Sequence, residues 1–391
     1  MDAVSDSGIG EYTPMSRALS EVQKGYTPFR DGDILWAKIT PCMQNGKSCI
    51  VSRLPNGYGF GSTEFHVLRT KSMQVSQAFL WEFVSQENLR NVATFAFTGS
   101  AGHQRVPASF LEDLPFPALP IDRQDALVKT MVAARSARKA KLTEAEALLA
   151  GLDGFLLTAL GLAAPRKDDR KFFATTVRAA HAQLHLNAEY FHPERTLALR
   201  AMVAESARVP SAKLGKVVKF IRSQISTPGP RYLGLAHVQS NTGELVEANE
   251  DTFGSCSEFK KSDVLFARLR PYLNKVHRAE MDGCCSPEFY VLRVNHSQTL
   301  LPDYLAAILR SNLTLAQTRH MMTGNTHPRL TNEDVLNLVI PIPKKVSVQQ
   351  AIVDEGRRRR EEARRLRAEA EVGWHAAKRW FEEQLLGKER T

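Results

Sequence analysis

The sequence predicts an α/β (α+β) chain built as an imperfect pseudo-twofold repeat. Two globules are each followed by a long helix, and the two helices pair as an antiparallel coiled coil. Three observations carry this reading. Blocks of the N-terminal half recur in the same order in the C-terminal half. Each set of blocks closes on a group of prolines: Pro115, Pro117 and Pro120, then Pro341 and Pro343. Each group opens onto a polar, charged stretch with apolar residues at helical spacing.

The blocks are specific. "GDILWAKITPCMQNGK" (32–47) returns as "SDVLFARLRPYLNK" (262–275), and "GFGSTEFHVLR" (59–69) as "DGCCSPEFYVLR" (282–293). "FTGSAGHQRVPASFLEDLPFPALP" (97–120) returns as "MTGNTHPRLTNEDVLNLVIPIPK" (322–344). The runs 33–38 and 65–69 read as strands, and "QAFLWEFVSQENLRN" as an amphipathic helix echoed by "DYLAAILRSNLTLAQ". Proline is poorly tolerated inside a helix and acceptable just before one, so the proline groups mark where the long helices start.

In the first long helix Leu142, Ala145, Leu149, Leu152, Leu156 and Ala159 alternate steps of three and four, the spacing of a coiled-coil seam. In the second, Ala363, Leu366, Ala370, Ala377 and Trp380 keep the rhythm, with Trp374, Phe381 and Leu385 as a neighbouring stripe. The run "DEGRRRREEARRLRAEAE" mixes seven Arg with six acids and reads as a solvated helix face. The expected division is 1–120, first globule; 121–162, first long helix; 163–180, linker; 181–344, second globule; 345–391, second long helix. The second repeat opens with "KLGKVVKFIRSQISTPGPRYLGLAHV", to which the first has no counterpart, so the first globule is expected to lack one strand.

Composition narrows the class. The 391 residues are enough for two or three domains, and 43% hydrophobic with 24% charged residues is ordinary for a globular protein. Lys and Arg outnumber Asp and Glu, 52 to 42, and the pI is about 9.4, which favours a polyanionic partner such as nucleic acid. No secretory leader is evident, and the most apolar window, 148–164, is short for a bilayer and carries Asp153. No membrane span is expected. Five cysteines without a CxxC argue against a disulfide framework or a structural zinc site, and place the chain in a reducing compartment, the cytoplasm.

These ordered blocks, together with "TGSAGHQRVP", "TGNTHPRL" and the alternation of globule and long helix, resemble the specificity subunit of type I restriction–modification systems over nearly the whole chain. The resemblance implies two target-recognition domains, each reading half of a bipartite site on double-stranded DNA, held apart by a helical spacer. It implies that the helices dock DNA methyltransferase subunits, two of them, and restriction subunits. It also implies a non-catalytic chain with no cofactor of its own: S-adenosylmethionine, ATP and Mg²⁺ would sit on the partners. The helix seam expected to serve this docking is Leu142, Leu149, Leu152, Leu156, Leu366 and Trp380.

Other chemistries fit the residues less well. "NGYGFGS" suggests a phosphate-binding glycine loop, but its twin "EMDGCCS" keeps one glycine, Gly283 against Gly59. Asp33, Glu64 and His66 could hold a nuclease metal, but the second copy keeps only Asp263 and Glu288 and has Tyr290, a poor Mg²⁺ ligand. Glu64 and Glu288 are expected instead to satisfy backbone or arginine donors. No Asn-Pro-Pro-aromatic or Asp-Pro-Pro-aromatic stretch of an amino-methyltransferase occurs.

DNA contact suits the repeats better. Lys38, Thr40, Asn45 and Lys47 correspond to Arg268, Arg270, Asn274 and Lys275: kept charge serves phosphates, and varied donors serve base edges. Ser100, His103, Gln104 and Arg105 correspond to Asn325, His327 and Arg329, with the two arginines offering forks for phosphate or guanine. The alternatives are a helical scaffold whose globules bind protein, and a self-sufficient nuclease or methyltransferase.

Overall fold

The computed structural model describes residues 1–387 except 101, 169, 171, 184–186, 227, 228, 230, 251–253 and 325. The chain divides into two compact units, Met1–Thr143 with Leu366–Thr391, and Glu144–Arg365.

In the first unit, α1 (Leu19–Val22) precedes β1 (Thr27–Arg30), β2 (Ile34–Ala37), β3 (Ser48–Ile50), β4 (Tyr58–Gly61) and β5 (Phe65–Leu68). β2 is central to an antiparallel β3-β2-β5 sheet, and β1 pairs with β4. Both faces of β2 are covered, so all four of its residues are buried, as expected of a continuous apolar run. Next come α2 (Gln77–Val84), α3 (Glu87–Ala93), α4 (Ala108–Glu112) and the start of α5 (Ile121–Leu160).

In the second unit, α6 (Val177–Gln183) and α7 (Pro193–Ala204) lead to β6 (Ser211–Lys213), β7 (Val218–Ile221), β8 (Gln224–Ile225) and β9 (Tyr232–Leu233). Then follow β10 (Cys256–Phe259), β11 (Val264–Ala267), β12 (Val276–Arg278), β13 (Gly283–Cys285) and β14 (Phe289–Val294). The unit continues through α8 (Pro302–Arg310), α9 (Asn312–Thr318), α10 (Asn332–Leu336), β15 (Val339–Pro341) and α11 (Val346–Leu385). β11 is central to a β12-β11-β14-β7 sheet; β8-β10-β13-β9 and β15-β6 form two others.

The duplication is visible in the register. Ile34 faces Leu68 and Ala37 faces Phe65, as Val264 faces Leu292 and Ala267 faces Phe289. The strands expected at 33–38 and 65–69 are present with slightly shorter bounds. The glycine shared by the repeats has a packing reason. A Cβ on Gly59 would lie 2.3 Å from the Phe29 ring, and one on Gly283 2.7 Å from the Phe259 ring. These glycines make room for an aromatic ring across paired strands, which accounts for them without a phosphate.

Two expectations need correction. The helix expected over 77–91 is two helices, α2 and α3, because the indole Nε1 of Trp36 takes the Val84 carbonyl and Gln86 turns extended (ψ 137°). Its echo over 303–317 also breaks, at Ser311, which is extended (ψ 157°) and caps α9 through its side chain.

The long helices pair antiparallel within each unit. In the first, Arg138 bonds Glu371 at 2.8 Å and Lys141 bonds Glu369 at 2.6 Å; in the second, the Arg359 Nη1 donates to the Gly151 carbonyl at 2.9 Å. Leu156 and Leu366 of the expected seam are buried, and Leu142, Leu149, Leu152 and Trp380 are half-buried. Ala159, which the spacing puts in the seam, faces solvent. There Leu156, Leu157, Leu160 and Leu162 turn instead into the core of the second unit.

In the first unit the stripe beside the seam closes the core: Phe381 and Trp374 pack with Phe79, Leu127 and Met131. All four tryptophans of the chain, Trp36, Trp81, Trp374 and Trp380, belong to this unit, so indole fluorescence reports its unfolding selectively. Phe381 is fully buried, its ring centroid 6.0 Å from that of Phe79. Phe381→Ala is expected to destabilise the first unit by about 3–5 kcal/mol, read as a lowered urea midpoint of tryptophan emission. An unchanged midpoint would show that α11 does not contribute to this core.

Candidate nucleic-acid interface

Each unit brings its two candidate segments side by side. In the first, Lys38 N–H donates to the Glu64 carbonyl, Val106 N–H to the Lys38 carbonyl and Thr40 N–H to the Gln104 carbonyl. The turn bearing Asn45 and Lys47 is thus next to the loop 98–105, itself closed by paired bonds of 2.9 Å between Thr98 and Arg105. The second unit repeats this: Leu330 N–H reaches the Arg268 carbonyl, Arg270 N–H the Pro328 carbonyl, and Thr323 pairs with Arg329. Gly99 (φ 103°) and Gly324 (φ 94°) open these loops with a backbone that other residues rarely adopt.

Beneath each surface lies a matched frame. The Asp33 carboxylate, 1% exposed, accepts a two-pronged bond from Arg69 at 2.6 and 2.6 Å and the Arg30 N–H at 2.8 Å. Asp263 does the same with Arg293, at 2.7 and 2.7 Å, and the Lys260 N–H. Glu64 grips the Arg105 guanidinium at 2.7 and 2.8 Å, and Glu288 grips Arg329 at 2.7 Å, which bears out the structural role expected for both glutamates. At the next position the repeats differ in residue and agree in function. The His66 Nε2 sits 2.8 Å from the Val106 carbonyl, where Tyr290 Oη donates to the Leu330 carbonyl at 2.9 Å. Asp33 and Glu64 are paired with arginines, and among the described residues Asp33, Glu64 and His66 do not come together as a metal-ligand cluster.

This frame gives several of the candidates partners within the fold. The forks of Arg105 and Arg329, each still about 40% exposed, pair with Glu64 and Glu288. Asn274 is buried in a left-handed turn and donates to Asn241 and the Arg310 carbonyl. The Lys275 ammonium donates to the Leu235 carbonyl at 2.7 Å, and burial lowers its pKa. The Thr40 hydroxyl bonds Gln44.

The side chains left facing outward are Asn45, Ser100, His103, Arg270 and His327, with Lys38, Lys47, Gln104 and Arg268 half-exposed. Among the described residues, Lys38, Lys47 and Arg270 have no ion-pair partner, and Arg268 lies 5.2 Å over the Tyr290 ring. Arg270 is left-handed (φ 46°), a conformation that costs a non-glycine residue about 1 kcal/mol or more. Asn325 lies outside the described residues.

Two features escaped the sequence reading. Arg310 of α8 and Arg357, Arg360 and Arg364 of α11 line a cleft of about 630 Å³ in the second unit. Burial, with Arg360 nearby, lowers the Arg310 pKa to about 9. The charge run is therefore not solvated throughout: steps of three and four bring one arginine row onto α8. The other feature joins distant positions. His192 and His320 stack with centroids 3.7 Å apart, and Glu194 bonds His320 and Arg319. With Glu194 they are the one potential metal-ligand cluster among the described residues. The rings are parallel within 6°, so their lone pairs do not converge on one ion.

The frame carboxylates titrate abnormally. Burial alone would raise the Asp33 pKa, but Arg69 and the Arg30 N–H outweigh it and hold it below the usual range. The Arg105 bond does the same for Glu64. Both pKa values are lower folded than unfolded. Their stabilisation is therefore complete above the ordinary carboxylate pKa, near 4, and is lost as pH falls through the depressed values. Asp33→Asn is expected to cost roughly 1–3 kcal/mol at pH 7, with the gap to the native chain narrowing below about pH 4. A pH series of tryptophan-monitored urea midpoints checks this; a constant gap would contradict it.

No protein-family model matches the chain. By sequence it is similar to the type I restriction enzyme EcoEI specificity subunit of Escherichia coli, 38% identical over 130 residues, covering 33% of this chain and 22% of that protein. It is equally similar to the EcoAI specificity subunit of Escherichia coli, 38% identical over 128 residues with the same coverage of each. The matches span about a fifth of the length of these relatives. By fold it is similar to a chain of a solved type I R-M system, at a TM-score of 0.54 and 15% identity, covering 99% of this chain and 90% of that one. The HsdS subunit from Thermoanaerobacter tengcongensis aligns over 99% of this chain and 89% of its own, at 16% identity and a TM-score of 0.44. The expected resemblance to type I specificity subunits is thus borne out by sequence over a third of the chain, and over nearly its whole length the chain shares the fold of a chain from a type I R-M system.

Proposed function

We propose that the chain is a DNA-reading specificity subunit of a type I restriction–modification complex. Residues 1–120 and 181–344 act as two target-recognition domains, each facing one half of a bipartite site. The observation that carries this is a pair of surfaces on matched frames, which keep an Asp–Arg and a Glu–Arg pair and change the outward side chains. A frame held constant beneath a varied polar, cationic surface is what two domains need to hold the same phosphate backbone and read different base edges.

Lys38, Lys47, Arg268 and Arg270 serve phosphates or bases directly. Arg105 and Arg329 position the loops that carry His103, Gln104 and His327. The paired helices dock methyltransferase and restriction subunits, which supply methylation and cleavage with S-adenosylmethionine, ATP and Mg²⁺; this chain catalyses neither. No helix among the described residues is long and apolar enough to cross a membrane, which accords with a cytoplasmic complex.

A gel shift of the isolated chain at several salt concentrations tests the reading: log affinity should fall linearly with log salt. Arg270→Ala should weaken binding and reduce the salt slope by about one, without lowering stability. Arg329→Ala should loosen its loop and weaken specific binding through position. Affinity that ignores salt, or an unchanged slope in Arg270→Ala, would overturn this assignment.

A further inference from the structure

The cleft of the second unit holds positive charge that the candidate DNA surface does not use. Helical period builds its wall. Arg357, Arg360 and Arg364 follow one another along α11 at steps of three and four, so they share a face, and Arg310 ends α8. The loop 241–245 comes against Arg310 at Gly243, which is left-handed (φ 70°); a Cβ there would lie 2.6 Å from the Arg310 Nη1.

Part of the charge in the cleft cancels locally. Arg278 pairs with Asp303 at 3.3 Å, Arg357 pairs with Asp354 at 3.5 Å, and Asp153 takes the backbone and side-chain N–H groups of Asn312. Arg310, Arg360 and Arg364 are left over: among the described residues none of them has an ion-pair partner. Glu244 attracts Arg310 and Arg360 from beyond ion-pair distance, and Glu280 is exposed. Arg310 donates one guanidinium N–H to the Val276 carbonyl at 2.7 Å; Arg360 and Arg364 donate none among the described residues. Burial first, and then the nearest arginine, lower the Arg310 pKa to about 9 and move that of Arg360 the same way. A row of like charges in a recess is costly until an anion completes it. The rest of the wall includes Leu152, Phe155, Ala307 and Ile352, and the volume of about 630 Å³ is that of a small-molecule site, far more than an inorganic anion fills.

We propose that Arg310, Arg360 and Arg364 form a binding site for a small organic phosphate, separate from the DNA surface. A guanidinium fork matches two phosphate oxygens at once, and a phosphate has oxygens enough for more than one fork. The apolar part of the wall receives the organic group.

The test is isothermal titration calorimetry of the full chain with phenyl phosphate and with inorganic phosphate, at fixed ionic strength. One-to-one saturation by phenyl phosphate is expected, with inorganic phosphate at least about fivefold weaker because it leaves the apolar wall uncovered. The double variant Arg360→Gln, Arg364→Gln keeps helix-forming residues and removes two like charges, so it should fold and bind phenyl phosphate at least about tenfold more weakly. Its binding to DNA should keep the native dependence on salt. Absence of saturation of the native chain by millimolar phenyl phosphate overturns the proposal, and so does equal affinity for the two ligands; both outcomes stand even where the variant fails to fold. Undiminished binding by the folded variant overturns it too, as does a reduced salt slope, which would place these arginines on DNA phosphates.

Discussion

Two carboxylates hidden under strand ends, Asp33 and Asp263, hold the rest in place. Each is nearly inaccessible, and each is satisfied by an arginine fork from the neighbouring strand and a backbone N–H from the turn before its own. A buried carboxylate without such partners would cost several kcal/mol, so the strand pairing, the turn and the fork form together or not at all. That fixes the register of β2 on β5 and of β11 on β14. The register in turn places Lys38 and Arg268 at the strand ends where the segments ending at Val106 and Leu330 cross.

The second pair, Glu64 with Arg105 and Glu288 with Arg329, divides labour within a loop. An arginine that neutralises a glutamate of its own fold no longer competes for an external anion at full strength, but it holds its neighbours in one geometry. On the proposed function, specificity then rests on short side chains carried by a rigid backbone, which lose less freedom on binding than long free ones. His66 and Tyr290 show how far the frame can drift: imidazole and phenol reach equivalent carbonyls from equivalent positions.

Much of this was legible in the sequence because it is written twice. Apolar runs gave β2 and β11, the proline groups gave the starts of α5 and α11, and three-four spacing gave the helix seam. What stayed hidden needs three dimensions. Nothing local reveals that Trp36 takes the Val84 carbonyl and ends α2, or that Glu64 claims Arg105 from far along the chain. Composition likewise counts Asn274 and Lys275 as surface donors, although tertiary packing spends both. The arginine row on α11 misled for the opposite reason: charge suggested solvent, and helical period turned part of it onto α8.

Arg270 carries a consequence for how such a chain changes over generations. Its backbone is one that glycine or asparagine adopts at little cost, so random substitution under selection for folding alone would drive it toward those residues. An arginine there is a debit against stability, which the proposed contact of its guanidinium with DNA would offset. The turn is therefore a place where new binding preferences come cheaply. Replacement by glycine or asparagine relieves strain as it alters the surface, and so on the proposed function a change of target by that route does not have to wait for a stabilising mutation elsewhere.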